Sequence, residues 1–216
     1  MTEMNGPHQG QQVAAAGTPL HEAHGAMVMV HGRGATAASI LTLAEPLYRD
    51  RFAYLAPQAS GNTWYPQSFL APMQNNQPGI DSGLRAISEV LERIAAARIP
   101  LERTILLGFS QGACLASEYM ARHARLYGGL AALSGGLIGP PGTPRDYAGT
   151  LDGTPVFLGC SDVDSHIPAE RVEESAEVFE RLGAVVTKRI YPGMGHTVNE
   201  DEIVHVQAMM DAVLAS

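Results

Sequence analysis

The chain has 216 residues, 45% of them hydrophobic and 17% charged, a composition typical of a globular protein that buries an apolar core. Its 14 Lys and Arg residues stand against 22 Asp and Glu residues, and the net charge of −8 argues against nucleic acid or anionic lipid as a partner, because it repels phosphate groups. No apolar run reaches the roughly 20 residues of a membrane span, and no secretion signal opens the chain, so we expect a cytoplasmic protein.

The first 19 residues differ in composition from the rest of the chain. They are rich in Gly, Gln, Ala and Pro and show no periodicity, which predicts a flexible arm or an added surface hairpin. We expect a single ordered domain to span residues 20–216. Cys114 and Cys160 both lie in apolar stretches and are interpreted as core residues, since disulfides are rare in the cytosol.

From residue 20 onward, short apolar runs alternate with helical patterns. This alternation predicts a doubly wound, mostly parallel sheet flanked by helices. Functional sites in such sheets lie at the carboxyl ends of the strands. The predicted strands are 26–30, 52–56, 103–107, 130–133, 155–158 and 184–191, and the predicted helices are 37–48, 81–98, 111–124, 168–182 and 200–214.

The motif Gly108-Phe109-Ser110-Gln111-Gly112 lies between a predicted buried strand and a predicted helix. A G-x-S-x-G sequence in that position is typical of a sharp turn that exposes a nucleophilic serine. A plain glycine-rich turn has the same composition, but the strand before it and the helix after it favour the nucleophile. Ser110 is therefore the candidate nucleophile.

A serine nucleophile needs a base, and the base needs an orienting acid. His196 follows the last predicted strand in a glycine-rich loop and is the candidate base. The acid is expected between the two, in the loop 159–168, where Asp162 and Asp164 both qualify. The spacing from Asp164 to Pro168 favours Asp164 as the acid. Asp162 would then be a turn or helix-capping residue.

Asp162, Asp164 and His166 also suggest a metal site, because oxygen and nitrogen ligands share one loop. No further cluster of ligands supports that interpretation, so we predict no metal. His166 is instead predicted to line the substrate cleft or to be an exposed loop residue.

Attack on an ester carbonyl generates an oxyanion that two backbone N–H groups stabilise. Gln111, the residue after the nucleophile, and Arg33, in the glycine-rich loop 30–35, are the predicted donors. This loop lacks the spacing of a dinucleotide or phosphate-binding motif. In the aromatic loop 61–70, Trp64 and Phe69 are candidates for the substrate-binding wall, although scattered aromatic residues more often belong to the core.

With these residues identified, the chain resembles the phospholipase/carboxylesterase family, which includes acyl-protein thioesterases and bacterial carboxylesterases. The resemblance spans residues 25–214 and rests on four blocks, residues 31–34, 108–112, 164–168 and 195–196. It implies a compact α/β-hydrolase with little or no lid, the triad Ser110, Asp164 and His196, oxyanion donors at Arg33 and Gln111, no cofactor and often a homodimer. The sequence departs from the family at 159–161, where a His-Gly pair is common, and the first 20 residues have no counterpart.

The predicted function is a serine carboxylesterase acting on short- to medium-chain esters or thioesters. A lactone or an amide hydrolase would use the same residues, and spacing cannot separate these reactions. A non-catalytic binding or sensor protein is the alternative from another class. Such relatives usually lose a triad member, whereas every role has a candidate in this sequence.

Overall fold

In a computed structural model, residues 6–216 are described, and they form a seven-stranded sheet. The strand order is β1-β3-β2-β4-β5-β6-β7. All neighbouring pairs are parallel except β1 and β3, which are antiparallel. The predicted, mostly parallel sheet is therefore confirmed. The strands are β1 (Val13–Gly17), β2 (Gly25–Val30), β3 (Phe52–Pro57), β4 (Thr104–Phe109), β5 (Gly129–Leu133), β6 (Pro155–Ser161) and β7 (Val185–Tyr191).

Five helices cover the two faces of the sheet. The second, third and fourth pack on one face, and the first and fifth on the other. Among residues 6–216, none of these helices combines the length and the apolar composition that a membrane crossing requires. The helices are α1 (Ala37–Ile40), α2 (Gly79–Ala96), α3 (Gln111–Arg122), α4 (Ala169–Arg181) and α5 (Glu200–Ala215).

The central strands are apolar throughout because both of their faces are buried. In β2, Val28 packs in the core beneath α2, α3 and α4, whereas Met27 and Met29 pack in the core with α1 and α5. Such strands show no alternation of polar and apolar residues. Cys114 and Cys160 are buried free thiols in the first of these cores.

The helix predicted at 37–48 is much shorter in the structure. It consists of the four-residue α1 followed by a 3-10 turn, Leu41–Ala44. Pro46 has no N–H to donate, and its ring would crowd the carbonyl of Thr42 in a continuous α-helix. The apolar periodicity of this segment therefore did not predict the length of the helix.

The N-terminal segment requires a second correction. The ordered core was expected to begin near Leu20, but β1 already pairs with β3, with Val13 opposite Pro57 and Gly17 opposite Ala53. This strand is short and alanine-rich, so local sequence gave little strand signal. Its partner is an edge some 40 residues later in the chain, and only the folded sheet supplies that edge. Residues 1–5 of the predicted arm lie outside the described residues.

Candidate active site

Ser110 occupies a strained turn between β4 and α3. Its backbone has φ 55° and ψ −121°, a conformation that costs a non-glycine residue on the order of 1–3 kcal/mol. A Cβ atom at Gly108 would overlap the carbonyl oxygen of Gly112, and a Cβ atom at Gly112 would overlap that of Val30. Both glycines of the motif are therefore required by close backbone packing around the serine.

His196 links Ser110 to Asp164. The Ser110 hydroxyl lies 2.9 Å from His196 Nε2, and His196 Nδ1 lies 2.6 Å from Asp164 Oδ2. Because a carboxylate only accepts, Nδ1 carries the proton and Nε2 faces the serine as an acceptor. The loops after β4, β6 and β7 thus bring together the three residues that the sequence predicted as a triad.

Asp164 is held in its ionised form. Its side chain is fully buried, and its Oδ1 accepts hydrogen bonds from the backbone N–H groups of His166 and Ile167 at 2.8 and 3.0 Å. Burial by itself would raise the pKa of this carboxyl, but the hydrogen bonds from His196 and from the two N–H groups outweigh it. The net result is a pKa below the usual value.

Asp162, the alternative acid, contacts a different group. Its Oδ1 accepts a hydrogen bond from the N–H of Gly193 at 2.8 Å, and the hydroxyl of Ser161 accepts one from Gly195 at 3.1 Å. Both bonds hold the glycine-rich loop that carries His196. Sequence reasoning missed this positioning pair, although two polar residues directly after a buried strand are a signal for it.

The same loop was considered as a metal site. In the structure, the carboxylates of Asp162 and Asp164 are directed to the His196 loop and to backbone N–H groups. Within residues 6–216, no three His, Cys, Asp or Glu side chains are grouped as metal ligands.

The backbone N–H groups of Arg33 and Gln111 are available beside Ser110. Neither has a protein acceptor within residues 6–216, and both residues line the same cavity as Ser110. Gln111 is the first residue of α3, where helix N–H groups have no intrahelical partner and the dipole favours negative charge. Their position is compatible with the predicted stabilisation of an oxyanion.

His31 fixes the loop that carries Arg33. Its ring is fully buried, Nδ1 donates to the Gly32 carbonyl at 2.8 Å, and Nε2 accepts from the N–H of Ala59 at 3.1 Å. Burial is the main cause that lowers the pKa of His31, so the ring is neutral and supplies one donor and one acceptor. The sequence motif alone predicts no separate role for His31.

Trp64, predicted as part of the substrate wall, is instead a core residue. It is fully buried, and its indole N–H donates to the His31 carbonyl at 2.9 Å. Its ring packs between His8 and His31, with centroid distances of 5.1 and 5.0 Å. A buried indole needs an apolar environment and a single acceptor; the core around Ile80 and Leu84 supplies the first, and the carbonyl of His31 supplies the second.

Phe69 and His166 do line the cavity beside Ser110. This cavity, which we call the Arg33 cavity, has a volume of about 470 Å³, and Tyr65 and Ile167 also contribute to its wall. The His166 ring packs edge-on against His196 at a centroid distance of 4.7 Å. His166 thus lies next to the candidate catalytic histidine, and Phe69 lines the same cavity.

A second cavity is also lined by His196. It also has a volume of about 470 Å³ and is lined by Ile40, Leu43 and Val198; we call it the Ile40 cavity. Both cavities reach His196 and Phe109. Ser110 lines the Arg33 cavity, whereas the Ile40 cavity is joined to it through the shared residues Gly32, Ala35, Phe109 and His196.

Comparison with known proteins agrees with this architecture. Residues 11–214 match the family described as Phospholipase/Carboxylesterase. A solved phospholipase/carboxylesterase from Dyadobacter fermentans is 46% identical, with 94% of this chain and 96% of that chain covered and a TM-score of 0.88. Acyl-protein thioesterase 1 of Eremothecium gossypii is 26% identical over 87% of this chain and 88% of its own length, and the Saccharomyces cerevisiae protein of the same name is 26% identical over 96% and 99%. The chain therefore belongs to the phospholipase/carboxylesterase family of α/β-hydrolases.

Proposed function

We propose that the protein is a serine hydrolase that cleaves carboxylic esters or thioesters of short- to medium-chain acyl groups. The observation that carries this proposal is the unbroken hydrogen-bond chain from Asp164 through His196 to Ser110, which ends at the wall of a cavity. The family to which the chain belongs supports the same reaction class.

In the first half-reaction, the Ser110 oxygen attacks the substrate carbonyl while His196 Nε2 takes the hydroxyl proton. The new bond is C–O, and the carbonyl electrons move onto oxygen to give a tetrahedral oxyanion. The N–H groups of Arg33 and Gln111 stabilise that charge. Asp164 stabilises the imidazolium that forms, without itself becoming protonated.

Collapse of this intermediate breaks the bond to the leaving group. His196 returns its proton to the departing alcohol or thiol and leaves an acyl ester on Ser110. A water molecule, deprotonated by His196, then attacks the acyl carbonyl. As this second tetrahedral intermediate collapses, the C–O bond to Ser110 breaks, His196 returns the proton to the serine oxygen, and the carboxylic acid is released. Each step uses only water and side chains or backbone groups of this chain.

The relatives and the cavity volume support this range of substrates. The curated relatives named acyl-protein thioesterase support a thioester as a second substrate type, because both bonds break through the same oxyanion. Each of the two cavities measures about 470 Å³, a size that holds a small molecule. The homodimer implied by the family resemblance stays a prediction.

Hydrolysis of a p-nitrophenyl ester series from acetate to laurate tests the proposal, with one acyl thioester added. We expect Ser110→Ala and His196→Ala each to lower kcat by about 10³-fold or more, and Ser110→Ala to abolish labelling by a fluorophosphonate. His21→Ala, at an exposed histidine, is the matched control. Undiminished turnover by folded Ser110→Ala would refute the proposal, and the chain-length optimum measures the acyl site.

A further inference from the structure

The wall of the Arg33 cavity carries one permanent charge. In the part of the chain that the structure describes, Arg33 is the only Lys, Arg, Asp or Glu residue on that wall. The neighbouring Ile40 cavity is lined by no such residue within the same range. The two cavities thus differ in the charge of their walls.

The Arg33 side chain is held on the wall in a defined position. Its two terminal nitrogens donate to the carbonyls of Pro66 and Gln67 at 3.0 and 2.6 Å, and its guanidinium carbon lies 5.9 Å from the centre of the Tyr65 ring. Pro66, Gln67 and Tyr65 line the same cavity. The guanidinium is therefore preorganised and has little rotational freedom to lose when a ligand binds.

Within the described residues 6–216, Arg33 has no carboxylate partner. Four other arginines, Arg49, Arg122, Arg145 and Arg171, form ion pairs, but Arg33 forms none within residues 6–216. A guanidinium has five N–H donors, and the two bonds to the loop carbonyls leave the Nε–H and one N–H of each terminal nitrogen without a protein acceptor in the same range.

An unpaired guanidinium in a cleft is suited to a carboxylate. Arginine binds carboxylates through paired, charge-assisted hydrogen bonds, and Arg33 is exposed, so a ligand carboxylate can reach it. The chain as a whole carries a net charge of −8. Arg33 is therefore a local positive site next to Ser110 in a protein that otherwise repels anions.

We infer that the preferred substrates are esters or thioesters with a carboxylate on the part that enters the Arg33 cavity, where the Arg33 side chain binds it. The uncharged remainder of the substrate then lies in the Ile40 cavity. This inference rests on the proposed function and specifies its substrate class. The backbone N–H of Arg33 keeps its role at the oxyanion, and the side chain adds selectivity.

Two pairs of esters that differ only in charge test the inference. One pair has the carboxylate on the acyl group, mono-4-nitrophenyl adipate and its methyl ester, and the other has it on the leaving group, 3-acetoxybenzoate and its methyl ester. The enzymes are the wild type, Arg33→Gln and Arg33→Lys. Arg85→Gln, on an exposed face of α2, changes the net charge equally and is the matched control.

In at least one pair, the wild-type ratio of kcat/KM for the anionic over the neutral ester should exceed that of Arg33→Gln by roughly tenfold. Arg33→Lys should fall between them, and Arg85→Gln should match the wild type. The wild-type ratio should decrease as salt rises from about 0.02 to 0.5 M, because salt screens an exposed charge. Comparing ratios between enzymes cancels the intrinsic reactivity of each ester.

If Arg33→Gln lowers both members of each pair equally, the side chain only holds the loop, and the inference is overturned while the proposed function stands. The same conclusion follows if the ratio of kcat/KM for the anionic over the neutral ester is the same in Arg33→Gln as in the wild type. If the wild type hydrolyses neither member of either pair and none of the p-nitrophenyl esters, the proposed function is refuted. The inference, which rests on that function, is then refuted as well.

Discussion

The Gln111 side chain connects the turn at Ser110 to the backbone of Trp64. Its Oε1 accepts a hydrogen bond from the Trp64 N–H at 2.9 Å, and its Nε2 donates to the Tyr65 carbonyl at 2.9 Å. Gln111 is buried, so these two backbone groups depend on it for hydrogen bonding. The residue that offers its N–H beside Ser110 therefore also holds the loop that forms the cavity wall.

Gln111→Ala should consequently destabilise the loop of Trp64 and Tyr65 more than it slows the chemical step. The backbone N–H remains, but two buried backbone groups lose their partner, which costs on the order of 1–3 kcal/mol for each group. We expect a lower free energy of unfolding and a rise in KM that exceeds the fall in kcat. Urea unfolding and steady-state kinetics measure both effects. An unchanged stability together with an unchanged KM would contradict this role.

His8 should stabilise the same loop from the N-terminal side. Its Nε2–H donates to the Trp64 carbonyl at 2.8 Å, and its Nδ1 accepts from the Ser60 N–H at 3.1 Å. His8→Ala should lower the free energy of unfolding by about 1–3 kcal/mol. The exposed His21→Ala is the control, and equal stability of the two variants would exclude the role.

The contribution of His8 should also depend on pH. Burial is the largest cause that lowers the pKa of His8 in the folded protein, so the unfolded chain binds more protons below about pH 6.5. Stability is then present above that pH and is lost as the pH falls. Wild-type stability should decline more steeply between pH 7 and 5 than that of His8→Ala, and parallel curves would contradict the assignment.

Asp164 and Asp162 should differ in their effect on turnover. Asp164→Asn removes the carboxylate charge that stabilises the imidazolium, and its NH2 group can hold His196 in the wrong tautomer, so it should lower kcat by about 10³-fold or more. Asp162→Asn keeps an oxygen for the Gly193 N–H, so we expect a loss of less than about tenfold. Kinetics of both variants on one p-nitrophenyl ester decide between them. A larger loss in Asp162→Asn would reverse the assignment of the acid.

Glu202 should make stability depend on pH at the start of α5. The side chain is fully buried, its Oε2 accepts from the Asn199 N–H at 2.9 Å, and its Oε1 has no partner within residues 6–216. Burial raises the pKa of Glu202 from 4.5 to about 7. The unfolded chain therefore releases this proton at a lower pH than the folded protein does.

The stability that results from this shift is present below about pH 4.5 and is lost as the pH rises to about 7. Glu202→Gln cannot ionise, so its advantage over the wild type should grow across that interval by on the order of 3 kcal/mol. Chemical unfolding from pH 4 to 8 measures it, with the exposed Glu200→Gln as control. Parallel profiles of wild type and Glu202→Gln would contradict the prediction.

Local sequence predicted most of the elements and the nucleophile. The parallel strands are confirmed because a strand buried on both faces must be apolar throughout, as the residues of β2 and β4 are. The turn at Ser110 was recognisable because its two glycines are required within five residues of one another. The residues that carry these features lie within short stretches of the chain, so the sequence displays the motif directly even though Gly112 is required by its contact with Val30.

Other features were decided only by tertiary structure, because they depend on residues far apart in the chain. Whether Asp162 or Asp164 meets His196 is determined by how the loop after β6 folds against the loop after β7. Trp64 is buried because the carbonyl of His31 and the ring of His8 surround it. Strand β1 forms because the edge of β3 is available for pairing. Local composition does not indicate such long-range contacts.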